Sequence, residues 1–147
     1  MTDEIVEVLL VEDSPDEAAF FTRTFSRIQL PAYLHIAIDG KDAVDFIFGT
    51  GRHLPRGRMT RPKLIILDLK LPRLDGLEVL RCLKSDLRTR NIPIVIFSSS
   101  REESDLIESY AIGANSYLVK PMDFDQFVAS VQALGQYWIQ FNQTPKL

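Results

Sequence analysis

Five side chains able to do chemistry stand just past short apolar runs. Glu12 and Asp13 follow Val8 to Val11, Asp68 follows Leu64 to Leu67, Ser98 follows Ile94 to Phe97, and Lys120 follows Tyr117 to Val119. If the runs are neighbouring parallel strands, three carboxylates, a hydroxyl and an ammonium share one rim. Such crowding of acids needs a cation. Oxygen ligands of this charge density select a hard ion such as Mg²⁺, which keeps several waters and shares its octahedron with phosphate oxygens. A carboxylate nucleophile, a metal, a hydroxyl donor and an ammonium together suit the stabilisation of a phosphoryl group in transfer. Each residue alone has a plainer use. Asp13 could sit near a helix start and Asp68 in a strand-end turn; Ser98 could open the Ser98-Ser99-Ser100 turn, with Ser100 and Glu103 capping the next helix; Lys120 could be a solvated lysine. Their recurrence at successive strand ends favours the shared site.

The elements that must position them alternate along the chain. Each apolar run precedes a stretch of helical period, as in an α/β parallel sheet. Central runs that are apolar on consecutive positions suit strands covered on both faces, whereas the mixed segment Tyr33 to Ile38 suits an edge strand. Ser14-Pro15-Asp16-Glu17 offers an N-cap, a proline at N1 and a capping-box glutamate. Ala18, Phe21, Phe25 and Ile28 then form the buried stripe of the first helix. Ala43, Phe46 and Ile47 mark a second helix; Val79, Leu80, Leu83 and Leu87 a third; Leu106, Ile107 and Tyr110 a fourth, stopped near Gly113. A fifth runs from about Phe124 through Phe127, Val128, Val131, Leu134 and Trp138. These β/α pairs predict an α/β fold: a doubly wound five-stranded parallel sheet in the flavodoxin-like order 2-1-3-4-5, with helices on both faces and chemistry at the carboxyl ends of strands 1 and 3. The segment Gly49 to Lys63, with Arg52, Arg56, Arg58, Arg61 and Lys63, reads as an exposed basic loop.

At 147 residues the chain fits one domain, 1–147, with a core of about 5–140 and a C-terminal arm of about 141–147, and leaves no room for a separate effector domain. A composition 46% hydrophobic and 25% charged is that of a soluble globular protein. The net charge of -3 gives no overall drive onto nucleic acid or an anionic membrane, so neither is expected as a partner. The longest apolar runs are strand-length, too short for a membrane span. Cys82, the sole cysteine, excludes an internal disulfide and a multi-cysteine metal cluster. Met1 to Val6 lacks a signal-peptide pattern, which makes a cytoplasmic location the expectation.

Val11-Glu12-Asp13-Ser14, Leu67-Asp68-Leu69-Lys70-Leu71-Pro72, Asp75-Gly76, Phe97-Ser98-Ser99 and Gly113 through Lys120-Pro121 resemble, in order, the receiver domains of two-component signalling, over roughly residues 5 to 140. The resemblance implies a phosphoacceptor signalling protein rather than an enzyme proper, one that assists its own phosphorylation and dephosphorylation. Asp68 would attack the phosphohistidine of a sensor histidine kinase and become an aspartyl phosphate. Asp13, Asp68 and the backbone carbonyl of Lys70 would bind Mg²⁺ directly, and Glu12 largely through water. Ser98 and Lys120 would hold phosphoryl oxygens, because a loose transition state needs mainly alignment and charge neutralisation. Tyr117 would turn inward as Ser98 moves toward the phosphate, and the Lys120-Pro121 bond would be cis, an isomer that proline makes accessible. Lys70 departs from the smaller polar residue common at its place, and its side chain could reach the phosphate or obstruct the attacking water.

The basic segment before the third strand, the Arg61-Pro62 entry to it, and Tyr137, Trp138 and Phe141 resemble more narrowly the small response regulators paired with bacterial and cyanobacterial phytochromes. That likeness implies a homodimer built on the fourth and fifth helices, the last strand and the C-terminal arm. Trp138 and Phe141, three apart on a helical face, would be its anchors. Other readings fail on chemistry. A haloacid-dehalogenase-like phosphatase needs a second acid where Lys70 stands. A flavodoxin-like FMN protein would set its phosphate loop where Glu12 and Asp13 would repel it. Gly49-Thr50-Gly51 lacks the lysine-serine pair of a P-loop, and nothing in the retained acids, hydroxyl and lysine supports a pure interaction module. Prolines interleave the basic segment, which makes no nucleic-acid motif.

Overall fold

The computed structural model describes residues 4–145, in the order β1 (Val6–Val11), α1 (Pro15–Ile28), β2 (Ala32–Ala37), α2 (Gly40–Phe48), a 3-10 helix (Gly51–Arg56), β3 (Leu64–Leu67), α3 (Gly76–Ser85), β4 (Ile94–Ser98), α4 (Glu103–Ile112), β5 (Ser116–Val119), α5 (Phe124–Gly135) and a π-helical turn (Gln136–Phe141). The ends of the expected domain and arm, 1–3 and 146–147, lie outside the described residues. All strand pairs are parallel and the order is β2-β1-β3-β4-β5, as the sequence implies, with the mixed second strand at one edge.

Successive strand side chains point to opposite faces, and in the central strands both faces are apolar. Val8, Leu10, Leu64, Ile66, Val95 and Phe97 pack with Phe21 and Phe25 of α1 and Phe127, Val131 and Leu134 of α5. Leu9, Val11, Ile65, Leu67, Ile94 and Ile96 pack with Phe46 and Ile47 of α2 and Val79, Leu80 and Leu83 of α3. Every residue of β3 is wholly buried, and full burial of such a side chain stabilises by about 1.5–3 kcal/mol. The strand that carries Asp68 at its end is thus among the most firmly held parts of the molecule.

Elsewhere the structure corrects the periodicity. Leu87 lies beyond α3 and is exposed: Asp86 leaves the helix with extended dihedrals and accepts from Arg88 N at 2.8 Å, which turns Leu87 outward. On α4 it is Ser109 that is fully buried, while Ile107 and Tyr110 face outward. The fifth helix ends at Gly135 and passes into the π turn, so Trp138 and Phe141 are not related by α-helical spacing: Trp138 packs against the core, and Phe141 is exposed. Gly49 to Lys63 is largely exposed, as expected, but it contains a 3-10 helix and is not an open loop. Arg56 donates to Thr60 Oγ1 and to the Phe46 carbonyl and lies over the Phe46 ring, and Arg52 pairs with Asp42 at 2.6 Å. These contacts bind the 3-10 helix to α2.

Candidate functional site

Close backbone approaches fix the strand ends. Lys120 N donates to Ser98 O at 2.8 Å, which carries the ladder between β4 and β5 one residue past Val119. Gly76 N donates to Leu69 O at 2.8 Å, and a Cβ on Gly76 would lie 2.2 Å from Asp68 O. The glycine of the Asp75-Gly76 pair therefore lets α3 begin directly against the strand end that bears Asp68. Gly113, at φ 130°, stops α4 and turns the chain into β5, as expected for a residue without a Cβ.

Glu12, Asp13, Asp68, Ser98 and Lys120 all stand at the carboxyl ends of the strands, and the Lys120 side chain ties Glu12 to Asp68. Its Nζ lies 2.6 Å from Glu12 Oε1, 2.9 Å from Asp68 Oδ2 and 3.3 Å from Glu17 Oε1, with the lysine side chain only 9% exposed. Burial would lower the basicity of Lys120, but its hydrogen bond to Glu12 and the charge of Asp68 outweigh that and hold its pKa above the ordinary lysine value. Burial raises the pKa of Glu12, a rise only partly offset by Lys120 and by Ser14 N, which donates to Glu12 Oε2 at 3.2 Å. Asp68 Oδ1 accepts from Leu69 N at 2.7 Å, which orients its carboxylate.

Carboxylate oxygens of Glu12, Asp13 and Asp68 lie within 4.8 Å of one another, Asp13 being the exposed member. One ammonium among three such acids, with Glu17 beside them, leaves an excess of negative charge. The donors are all hard oxygens, the set that fits a divalent cation of the magnesium or manganese kind. Lys70, two residues after Asp68, is exposed.

Ser98 is buried and its Oγ accepts from Ser100 N at 3.2 Å; Tyr117 donates its hydroxyl to Ser100 O at 2.9 Å. Ser98 and Tyr117 thus meet through one loop residue. One alternative reading and two expectations about neighbouring backbone are corrected. The cap of α4 is Glu102 rather than Ser100 with Glu103, because Ser100 Oγ is engaged by Asp105 and by Glu102 N. The capping box of α1 is half formed: Ser14 accepts from Glu17 N at 3.3 Å, but the Glu17 carboxylate turns to Lys120. The Lys120-Pro121 bond is trans, there being no cis peptide among the described residues. Trans is the intrinsically preferred isomer by about 0.5–1 kcal/mol, and Lys120 reaches its partners without the cis form. Glu17 is the site residue that sequence reasoning missed.

Residues 8–132 match the family described as the response regulator receiver domain. The chain is 37% identical over 141 residues to the "Probable methanogenesis regulatory protein FilR2" of Methanothrix harundinacea, covering 94% of this chain and 86% of that protein. It is 33% identical to the response regulator Rcp1 of Synechocystis, covering 90% and 88%. The crystal structure of the Mn²⁺-bound form of Rcp1 superposes with a TM-score of 0.88 over 96% of this chain and 99% of that one. The bacteriophytochrome response regulator AtBRR superposes with a TM-score of 0.74 at 40% identity, over 96% and 100%.

Proposed function

The chain belongs to the response regulator receiver family, and from that membership we propose that Asp68 is its phosphoacceptor. The observation that carries the assignment is the 2.9 Å pair of Lys120 Nζ with Asp68 Oδ2, beside the acids Glu12 and Asp13. An Asp68 oxygen attacks phosphorus as the P–N bond of a donor phosphohistidine breaks, and the bonding electron pair leaves with the imidazole nitrogen. Leu69 N holds the carboxylate in place for that attack. Ser98 donates a hydrogen bond from its hydroxyl, and Lys120 one from its ammonium, to oxygens of the arriving group, which neutralises charge as it spreads over them. Asp13 and Asp68, with the Lys70 carbonyl and with Glu12 alongside, would hold Mg²⁺. The ion, when bound, adds charge neutralisation. The Mn²⁺ in Rcp1 supports a divalent metal of this class.

The donor in this reading is a sensor histidine kinase of the phytochrome type, a reading supported by the likeness to AtBRR. The protein works in the cytoplasm as a homodimer, using α4, β5, α5 and the C-terminal arm, and passes its signal by phosphorylation-dependent contacts. Among the described residues no helix is long and apolar enough to cross a membrane. The primary test is to incubate the protein with Mg²⁺ and acetyl phosphate and weigh it intact. One phosphoryl adduct on the wild type and none on Asp68→Asn is the expected result; an adduct that persists in Asp68→Asn refutes the assignment.

A further inference from the structure

The roles just assigned leave Glu17 without one. It stands in the first turn of α1, half exposed, with Oε1 3.3 Å from Lys120 Nζ. In a capping box the glutamate returns to the N-cap amide. Here Ser14 N is taken by Glu12 Oε2 at 3.2 Å, and the Glu17 carboxylate is directed into the site instead. We infer that Glu17 is a positioning residue that acts through Lys120 and makes the site select against small anionic phosphodonors. The inference rests on Asp68 being the phosphoacceptor.

An ammonium has three N–H donors, and Glu12, Asp68 and Glu17 occupy three directions around Lys120. To donate to an arriving phosphoryl oxygen, Lys120 must release one of them. Glu12 is buried with its partner, and Asp68 is the nucleophile itself. Glu17 makes the longest contact and is the most solvated, its side chain being 50% exposed against 5% for Glu12 and 13% for Asp68. It is therefore the contact that yields. Once released, its carboxylate stands at the mouth of the site as a charge of the same sign as the donor. A small phosphodonor carries nothing to neutralise it. A donor protein that sets a lysine or arginine against the first turn of α1 pairs with Glu17 and frees Lys120 in one movement.

The test compares rates of adduct formation from acetyl phosphate and Mg²⁺ for the wild type, Glu17→Gln and Glu17→Asp, at low and high salt, with Asp68→Asn as the blank. Because the effect is one of exposed charge, Glu17→Gln should react about three- to tenfold faster than the wild type at low salt, with the advantage shrinking as salt rises. Glu17→Asp keeps the charge and should stay nearer the wild type than Glu17→Gln does. A Glu17→Gln rate no greater than wild type, an advantage indifferent to salt, or Glu17→Asp as fast as Glu17→Gln overturns the inference while leaving Asp68 as acceptor. Failure of the wild type itself to form an adduct overturns the phosphoacceptor reading and this inference with it.

Discussion

Lys120 is a nearly buried cation within hydrogen-bonding reach of three carboxylates. Removing one partner of a buried pair costs about 3–5 kcal/mol where the remaining charge has no escape. Here there is an escape, because Asp68 is open to solvent at its edge and Glu12, its acidity already weakened by burial, can take up a proton. Lys120→Met should therefore cost about 1–3 kcal/mol in the presence of a chelator. Mg²⁺ should restore more stability to this variant than it adds to the wild type, since it supplies positive charge to the same oxygens. Urea unfolding in EDTA and in Mg²⁺ measures both effects, and an equal Mg²⁺ response in the two proteins would count against a shared charge field. At this scale the strand-end residues were legible because each follows an apolar run that only a covered strand explains. Glu17 was not, because Ser14-Pro15-Asp16-Glu17 is a complete local pattern, whereas its actual partner lies 103 residues away.

Asp42 does for two elements what Lys120 does for the rim. From α2 it accepts from Arg52 Nε at 2.6 Å, Arg52 Nη2 at 2.8 Å and Ile38 N at 3.1 Å, with His53 Nε2 2.8 Å from Oδ1. Burial pushes its pKa up, but the hydrogen bonds from Arg52, His53 and Ile38 N outweigh that and hold it at about 2. A carboxyl depressed from about 3.9 in the unfolded chain contributes stability that is present above that value and lost as pH falls toward 2. The full linkage is about 2–3 kcal/mol. Arg52 is 63% exposed, so solvent screening reduces the figure. Asp42→Asn should then destabilise by about 1–2 kcal/mol at neutral pH, with the gap closing as acid protonates the wild type. Urea midpoints across this range check the prediction, and a gap that stays constant with pH would mean that Asp42 acts by packing alone. This clamp explains what was missed in the basic segment: its arginines signal exposure, and Arg52 and Arg58 are exposed, but the sequence does not show that a buried acid on the preceding helix fastens the segment down. The central strands carried their signal in burial on both faces, while α4, seated mainly by Ser109, had no strong period to read.

Across the whole molecule, the strand order could be inferred because runs apolar on both faces must be central and the mixed one must be an edge. Which surface meets a second copy leaves no such pattern. The structure separates the expected dimer face into patches on different strands. Ile107 and Tyr110 project from α4, which packs beside the edge strand β5. Phe141, 69% exposed, lies beside Glu4, Val6, Pro31 and Lys63, near the start of β1. The turn that carries Phe141 is well anchored: Ile139 is buried and its carbonyl accepts from Lys63 Nζ at 2.6 Å. A ring held on ordered backbone loses less conformational freedom on binding than one on a weakly seated element, and buried aromatic anchors dominate interface energetics. In the proposed homodimer, Phe141→Ser should raise the dissociation constant of the unphosphorylated protein about tenfold or more, whereas Tyr110→Ser should change it by less than about twofold. Sedimentation equilibrium of the two variants measures the ranking. The opposite order would make α4, the element beside the Ser98 and Tyr117 loop, the stronger of these contacts, and would make dimerisation answer directly to the state of that loop.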